Sequence, residues 1–149
     1  MGPSDSSKTK MKQNSYKFSV HSKGQGLYNI TQKIKSWTDA QGFWEGLLTV
    51  FCSHTSASLI IQENADPDVL HDLNKFLKRI VPENDPVYRH KTEGSDDMPA
   101  HIRSALTHTH LSIPISEGRL TLGTWQGLYL FEHRTHPHHR TIALHLLGE

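Results

Sequence analysis

Apolar residues along this chain change their period several times, and each change marks an element. Tyr16, Phe18 and Val20 alternate with Lys17, Ser19 and His21, which predicts a first strand. Lys23-Gly24-Gln25-Gly26 turns the chain. Leu27, Ile30, Ile34 and Trp37 then recur at helical spacing, so an amphipathic helix is expected from about Leu27 to Ala40, closed by Gly42. Leu47 to Ser53 and Ser58 to Gln62 read as two strands. The link between them is short enough for a tight hairpin. Asp66 and Pro67 are a strong helix start, the first as a cap and the second as the first helical residue. Val69, Leu70, Leu73, Phe76, Leu77 and Ile80 form the expected buried stripe of that helix, and Pro82 ends it. Asp85 to Ser95 has no period and reads as a loop. Asp96-Asp97-Met98-Pro99 opens another helix, continued by Ala100 to Leu106. In the last third, Leu111 to Ile115, Leu120 to Gly123, Leu128 to Glu132 and Thr141 to Leu147 read as strands.

Strands with interspersed helices in this order argue an α+β fold rather than a doubly wound parallel sheet. The chain has 149 residues, enough for one domain with a real core. No repeat or linker divides it. Met1 to Asn14 is polar and rich in Ser and Lys, so residues 1–14 read as a disordered leader and residues 15–149 as one compact domain. With 16 basic and 15 acidic residues the formal net charge is +1, so no global basic field favours nucleic acid. No run of about 18 apolar residues offers a membrane span, and the N-terminus lacks a secretory hydrophobic region. The cytosol is the expected compartment.

Twelve histidines are an unusual number at this length and draw attention to sites. His54-Thr55-Ser56-Ala57-Ser58 follows an apolar run. On a strand, His54 shares a face with Leu48, Val50 and Cys52, and the hydroxyls and amides beyond it can receive an anion. A plain strand end with a Ser/Thr turn has the same pattern. Cys52 fits a small buried hydrophobe; a catalytic thiol beside His54 is the competing role. His90 and His101 flank a carboxylate-rich stretch. Nitrogen ligands with supporting carboxylates suit a zinc-like metal, while Asp96 and Asp97 are well explained as helix caps. A metal shared by His54, His90 and His101 is the expectation to test. Glu132 shares strand parity with Leu128 and Leu130. A carboxylate ending an apolar face has a raised pKa unless a cation or metal is near, which makes it an acid/base candidate. Arg119 could pair with phosphate or be solvated, Thr124 and Gln126 offer hydrogen bonds, and Trp125 is a flat surface or a plug. His136, His138 and His139 read as a solvated loop tip.

Several of these segments together resemble the YjbQ family. They are His54-Thr55-Ser56-Ala57-Ser58, Glu63-Asn64-Ala65-Asp66-Pro67, the stretch from His90 and Glu93 to Ile102, and Leu122-Gly123-Thr124-Trp125-Gln126-Gly127. Glu132-His133-Arg134 and Leu147-Gly148-Glu149 also fit, so the resemblance runs from about Tyr16 to Glu149. It implies a β-sandwich-like mixed sheet with helices and assembly as a homotrimer. It also implies a weak thiamine-phosphate-synthase activity, joining a thiazole phosphate to a pyrimidine pyrophosphate with release of pyrophosphate. On that reading a divalent metal such as zinc sits on His54, His90 and His101. Glu132 and His54 act in catalysis, and Thr55, Ser56, Arg119, Thr124 and Gln126 position a phosphorylated small molecule. The alternative is a metal- and anion-binding protein or structural trimer without turnover. Similar sequences often carry a Gly-rich turn where this chain has Thr135-His136-Pro137-His138-His139.

Overall fold

Alternating apolar residues on three long segments build one face of a core. The computed structural model describes residues 10–149. Strands β1 (Lys12–Ser22), β3 (Gly46–Cys52), β5 (His110–Ser116), β6 (Arg119–Leu120) and β8 (His138–Gly148) form a five-stranded sheet in the order β1-β8-β3-β5-β6. Strands β2 (Gly26–Asn29), β4 (Ala57–Glu63) and β7 (Gln126–Glu132) form a second sheet in the order β2-β7-β4. Leu48, Val50, Leu111, Ile113, Ile142, Leu144 and Leu146 of the first sheet meet Ala57, Leu59, Leu128 and Leu130 of the second. The result is a β-sandwich core in a single α+β domain: the order of elements led one to expect the α+β class, and the family resemblance the sandwich. Every strand pairing among the described residues is antiparallel, which refines the expected mixed sheet.

Helix α1 (Thr31–Gln41) packs on β6 and β7, α2 (Pro67–Ile80) on β2 and β4, and α3 (Asp97–Leu106) on β4. With helices added, the central strand β7 is buried from Gly127 to Glu132. The five-stranded sheet instead leaves Leu47, Phe51 and Leu147 exposed on its other face.

Several boundaries differ from the sequence reading, each for a physical reason. The first helix starts at Thr31, because Leu27 to Asn29 pair with Tyr129 to Phe131 as a strand; Gly42 closes the helix in the left-handed conformation at φ 70°. Residues 1–9 of the expected leader lie outside the described residues, whereas Lys12 to Asn14 pair with Leu146 to Gly148 and belong to β1. The β3–β4 link is no hairpin: the two strands lie in different sheets, so the His54 segment crosses the sandwich at its edge. Asp66 caps α2, accepting from the Asp68 amide at 2.9 Å. No residue of α2 is fully buried, and Phe76 and Ile80 are 48% and 49% exposed, so the stripe expected to be buried is only partly covered. His138 and His139 are strand residues rather than a loop tip; His139 pairs with His21, their ring centroids 4.0 Å apart.

Candidate functional site

Asp97 and His101 stand four residues apart on α3, which places their side chains on one helix face. His90 reaches them from the irregular segment 81–96. Ligand atoms of His90, Asp97 and His101 lie within 4.8 Å of one another. Asp97 Oδ2 is 2.6 Å from His90 Nε2 and 3.1 Å from His101 Nε2. His101 Nδ1 sits 2.9 Å from the carbonyl oxygen of Thr55. A carbonyl can only accept, so Nδ1 carries the proton. In the neutral ring Nε2 is then a lone pair aimed at a carboxylate oxygen. Two acceptors at that distance repel unless a cation joins them, either a second proton on the ring or a metal ion. Two imidazole nitrogens and one carboxylate oxygen, with room for further ligands, are a donor set that fits a zinc-like divalent ion.

The carboxylate is fixed and the imidazoles are reachable. Asp97 is almost fully buried, while His90 and His101 are 40% and 30% exposed. Arg134 Nη1 holds Asp97 Oδ1 at 2.8 Å. Burial alone would raise the Asp97 pKa, but hydrogen bonding to His90 and the nearby charges of His101 and Arg134 hold it below the usual carboxylate range. Neighbouring Asp96 accepts from Arg134 Nε at 2.8 Å and from the Thr135 amide at 3.0 Å. These partners outweigh its burial and bring its pKa down to about 2. Neither aspartate makes a side-chain cap, so the expected capping role gives way to binding Arg134 and to the cluster. Beside His90 opens a cavity of about 240 Å³, lined by Tyr88, Lys91, Ser95 and Met98 among others.

A second polar group lies where β4, β7 and β8 end. Glu132 is fully buried. It accepts from Ser22 Oγ at 2.6 Å, from Arg140 Nε at 2.8 Å, from Arg140 Nη2, and from the amides of His133 and Arg134 at 3.1 and 3.2 Å. Burial pushes its pKa up, but the Arg140 and Ser22 hydrogen bonds and the Arg140 charge win, and the group is held below its ordinary value. The expected acid/base carboxylate is therefore a saturated anion, and the cation that saturates it is Arg140. His54 lies beside this pair. The Thr141 amide donates to its Nε2 at 2.8 Å, and its Nδ1 is 3.4 Å from Arg140 Nη1. Burial, then the Arg140 charge, lower its pKa. A cleft of about 580 Å³ opens here, lined by Phe51, Ser53, His54, Thr55, Ser56 and Arg140 among others.

The structure thus brings His90 and His101 together and adds Asp97, but leaves His54 outside that group. His54 cannot serve as the third ligand as placed, because its Nε2 already accepts from Thr141. Thr55 and Ser56 line the His54 cleft, and Thr55 touches the metal-type cluster through its carbonyl. Arg119, Thr124 and Gln126 are exposed and make no hydrogen bond to either group among the described residues; Gln126 Oε1 accepts from the Gly123 amide at 2.8 Å. Cys52 is core: burial raises its thiol pKa to about 11, and its Sγ lies 3.5 Å from the Ala57 carbonyl. Asp97, Arg134 and Arg140 were missed. The Asp97–His101 spacing of one helical turn was a usable signal for the first. For Arg140 the signal was its parity with Ile142, Leu144 and Leu146, which places a cation on the inward face.

Comparison with known proteins supports one family. Residues 16–149 match the family model described as UPF0047 protein YjbQ-like. UPF0047 protein sll1880 of Synechocystis is 58% identical over 87% of this chain and 88% of its own length. UPF0047 protein YjbQ of Escherichia coli O157:H7 is 44% identical over 87% of this chain and 94% of its own. Among solved structures, a YjbQ/UPF0047 family protein from Clostridium acetobutylicum is 35% identical with a TM-score of 0.80, covering 87% of this chain and 97% of that one. A hypothetical protein from Aeropyrum pernix K1 is 29% identical with a TM-score of 0.84, covering 91% and 99%.

Proposed function

This chain belongs to the YjbQ-like UPF0047 family, and we propose that it is a small metal-assisted enzyme acting on phosphorylated small molecules. The observation that carries this reading is Asp97 Oδ2 set between two imidazole Nε2 atoms, one of them a lone pair by virtue of the Thr55 carbonyl. His90, Asp97 and His101 would hold the divalent ion, zinc by donor type. When bound, such an ion polarises a phosphoryl oxygen. Arg134 keeps the Asp97 carboxylate ionised and oriented, as supporting residues do at metal sites. Glu132, saturated by donors, moves no proton; it positions Arg140. Thr55 and Ser56 line the cleft beside His54, and the Thr55 carbonyl also meets His101. The resemblance suggests thiamine-phosphate synthesis as the reaction, with release of pyrophosphate.

Copies of the chain meet, on this reading, through the exposed apolar residues Leu47, Phe51 and Leu147 of the large sheet. The resemblance supplies the number three. A free thiol kept in the core is in keeping with a reducing cytosol. No helix among the described residues is long and apolar enough to cross a membrane.

The test is metal analysis of the purified protein followed by an assay of thiazole-phosphate coupling. The expected result is about one divalent ion per chain and a turnover lost in His101→Ala. Metal binding without turnover of any phosphorylated compound tried would make it a binding protein. Absence of metal affinity would remove the reading altogether. Light scattering at micromolar concentration checks the trimer, and a monomer would count against it.

A further inference from the structure

The contact between His54 and Arg140 has two donors and no acceptor. The Thr141 amide hydrogen points at His54 Nε2 from 2.8 Å, so Nε2 is the lone pair and the ring proton sits on Nδ1. Nδ1 faces Arg140 Nη1 at 3.4 Å, and a guanidinium nitrogen has hydrogens only. The other Arg140 donors are used. Nε goes to Glu132 Oε1, and Nη2 goes to Glu132 Oε2 and to the carbonyl and hydroxyl of Ser56. Nη1 has no acceptor among the described residues. The Arg140 side chain is only 5% exposed, and it lines the cleft formed by His54, Thr55, Ser56 and Thr109.

Leaving buried donors unmatched costs free energy, and two donors turned toward each other repel. One oxygen bearing lone pairs, placed against Nδ1–H and Nη1–H, removes both penalties. We propose that this cleft is an oxyanion subsite in which His54 Nδ1–H and Arg140 Nη1 jointly receive a phosphoryl oxygen, with the Ser56 and Thr55 hydroxyls beside it. The proposal takes only the class of ligand, a phosphorylated small molecule, from the functional reading above. It needs no metal. The subsite lies across Thr55 from His90, Asp97 and His101, since the Thr55 carbonyl holds His101 while Thr55 itself lines the cleft. Glu132 fixes Arg140 in place, and the rigid pair presents Nη1 without having to reorganise. Glu132 also neutralises most of the Arg140 charge, so recognition works through hydrogen-bond direction more than through net charge.

The experiment uses the full chain, stripped of metal with a chelator, and inorganic phosphate as the probe. Nitrogen-15 imidazole spectra report the His54 tautomer directly. The expected result is an Nδ1–H ring whose nitrogens shift saturably as phosphate is added, with phosphate affinity reduced about tenfold or more in His54→Ala. Asp97→Asn should lower divalent-metal affinity by about 100-fold and leave this phosphate titration of the metal-free chain unchanged, so failure of the metal reading and failure of the subsite are read separately. An Nε2–H tautomer in the wild-type protein overturns the proposal without any variant, because Arg140 Nη1 would then donate to His54 Nδ1 and the mismatch would move to the Thr141 amide, leaving no unmatched pair facing the cleft. Phosphate binding that vanishes with the metal, or that survives His54→Ala at full strength, overturns it as well. So does an Nδ1–H ring that does not respond to phosphate, since water alone would then fill the acceptor position.

Discussion

Two carboxylates of this protein sit among basic side chains, and they could hardly be used more differently. Glu132 accepts hydrogen bonds from a hydroxyl, two guanidinium nitrogens and two backbone amides, all inside the core. Asp97 presents one oxygen to Arg134 and the other to two half-exposed imidazoles, one of which offers it a lone pair. The first arrangement is electrically complete and has nothing left to bind. The second is complete only when a cation is added. A perturbed pKa does not separate the two, because both groups are held below the ordinary carboxylate range; the count of matched donors and acceptors does.

The comparison is broken most forcefully at Glu132. Glu132→Ala strands the Arg140 cation in a site that is almost fully buried, and the expected loss of stability is about 3–5 kcal/mol. Denaturant unfolding measures it. A loss below 1 kcal/mol would mean that the pair is a bystander and that Glu132 is free for chemistry after all. The counterpart change at Asp97 should do the opposite. Asp97→Asn removes the anionic ligand, so divalent-metal affinity should fall by about 100-fold. Stability should change little, because Arg134 keeps its bond to Asp96. Titration with zinc against a competing chelator decides this, and unchanged affinity would sink the cluster as a metal site.

These two outcomes also bear on what the sequence could reveal. Runs rich in apolar residues located β3, β5, β7 and β8, because an inward face must be apolar wherever the strand lies. Such a run does not say which sheet a strand joins. Hence Ser53 to Ser56, which crosses from one sheet to the other, read as a hairpin link. At the metal-type cluster His90 and His101 were legible as isolated imidazoles, but Asp97 was hidden by a better-known habit, acidic residues in the first turn of a helix. At the other group Glu132 was found, but a raised pKa was expected where the structure holds it low. Its cation lies on a different strand, and only the folded register brings Arg140 beside it. His54 was assigned to the metal for the same reason: spacing along the chain cannot show that its Nε2 is taken by the Thr141 amide.

Acidity sharpens the contrast through His133, which is buried next to Glu132 with its Nε2 2.8 Å from Ser58 Oγ. Burial, then the Arg103 charge, lower its pKa from 6.5 to about 3. Between those values the unfolded chain binds a proton that the folded chain refuses. Stability should therefore fall as pH drops from about 6.5 toward 3, by up to about 1.4 kcal/mol per pH unit. His54, also lowered, acts in the same sense. Asp96 adds to the loss only further down: its contribution is intact above about 3.8 and disappears as pH falls toward 2. Urea midpoints at pH 7, 5.5 and 4.5 should decline, and His133→Gln should flatten that decline. A flat wild-type profile across this range would show that His133 charges without cost and that the Glu132 region is open to water.

The smallest effect is expected at Cys52, a core residue near the Glu132–Arg140 pair. Its side chain is 1% exposed on the inward face of β3, alongside Val50 and Leu48. The thiol, at a pKa of about 11, carries negligible thiolate near neutrality, so it is neither a nucleophile nor a metal ligand there. Cys52→Ala removes a sulfur from the packed core and the weak contact to the Ala57 carbonyl. The expected cost is about 1 kcal/mol. Zinc affinity and the phosphate response of His54 should both stay at wild-type strength, because neither Asp97 nor the Nδ1 side of His54 rests on the sulfur. A well-folded Cys52→Ala protein that had lost metal or turnover would move the thiol from the core into the chemistry.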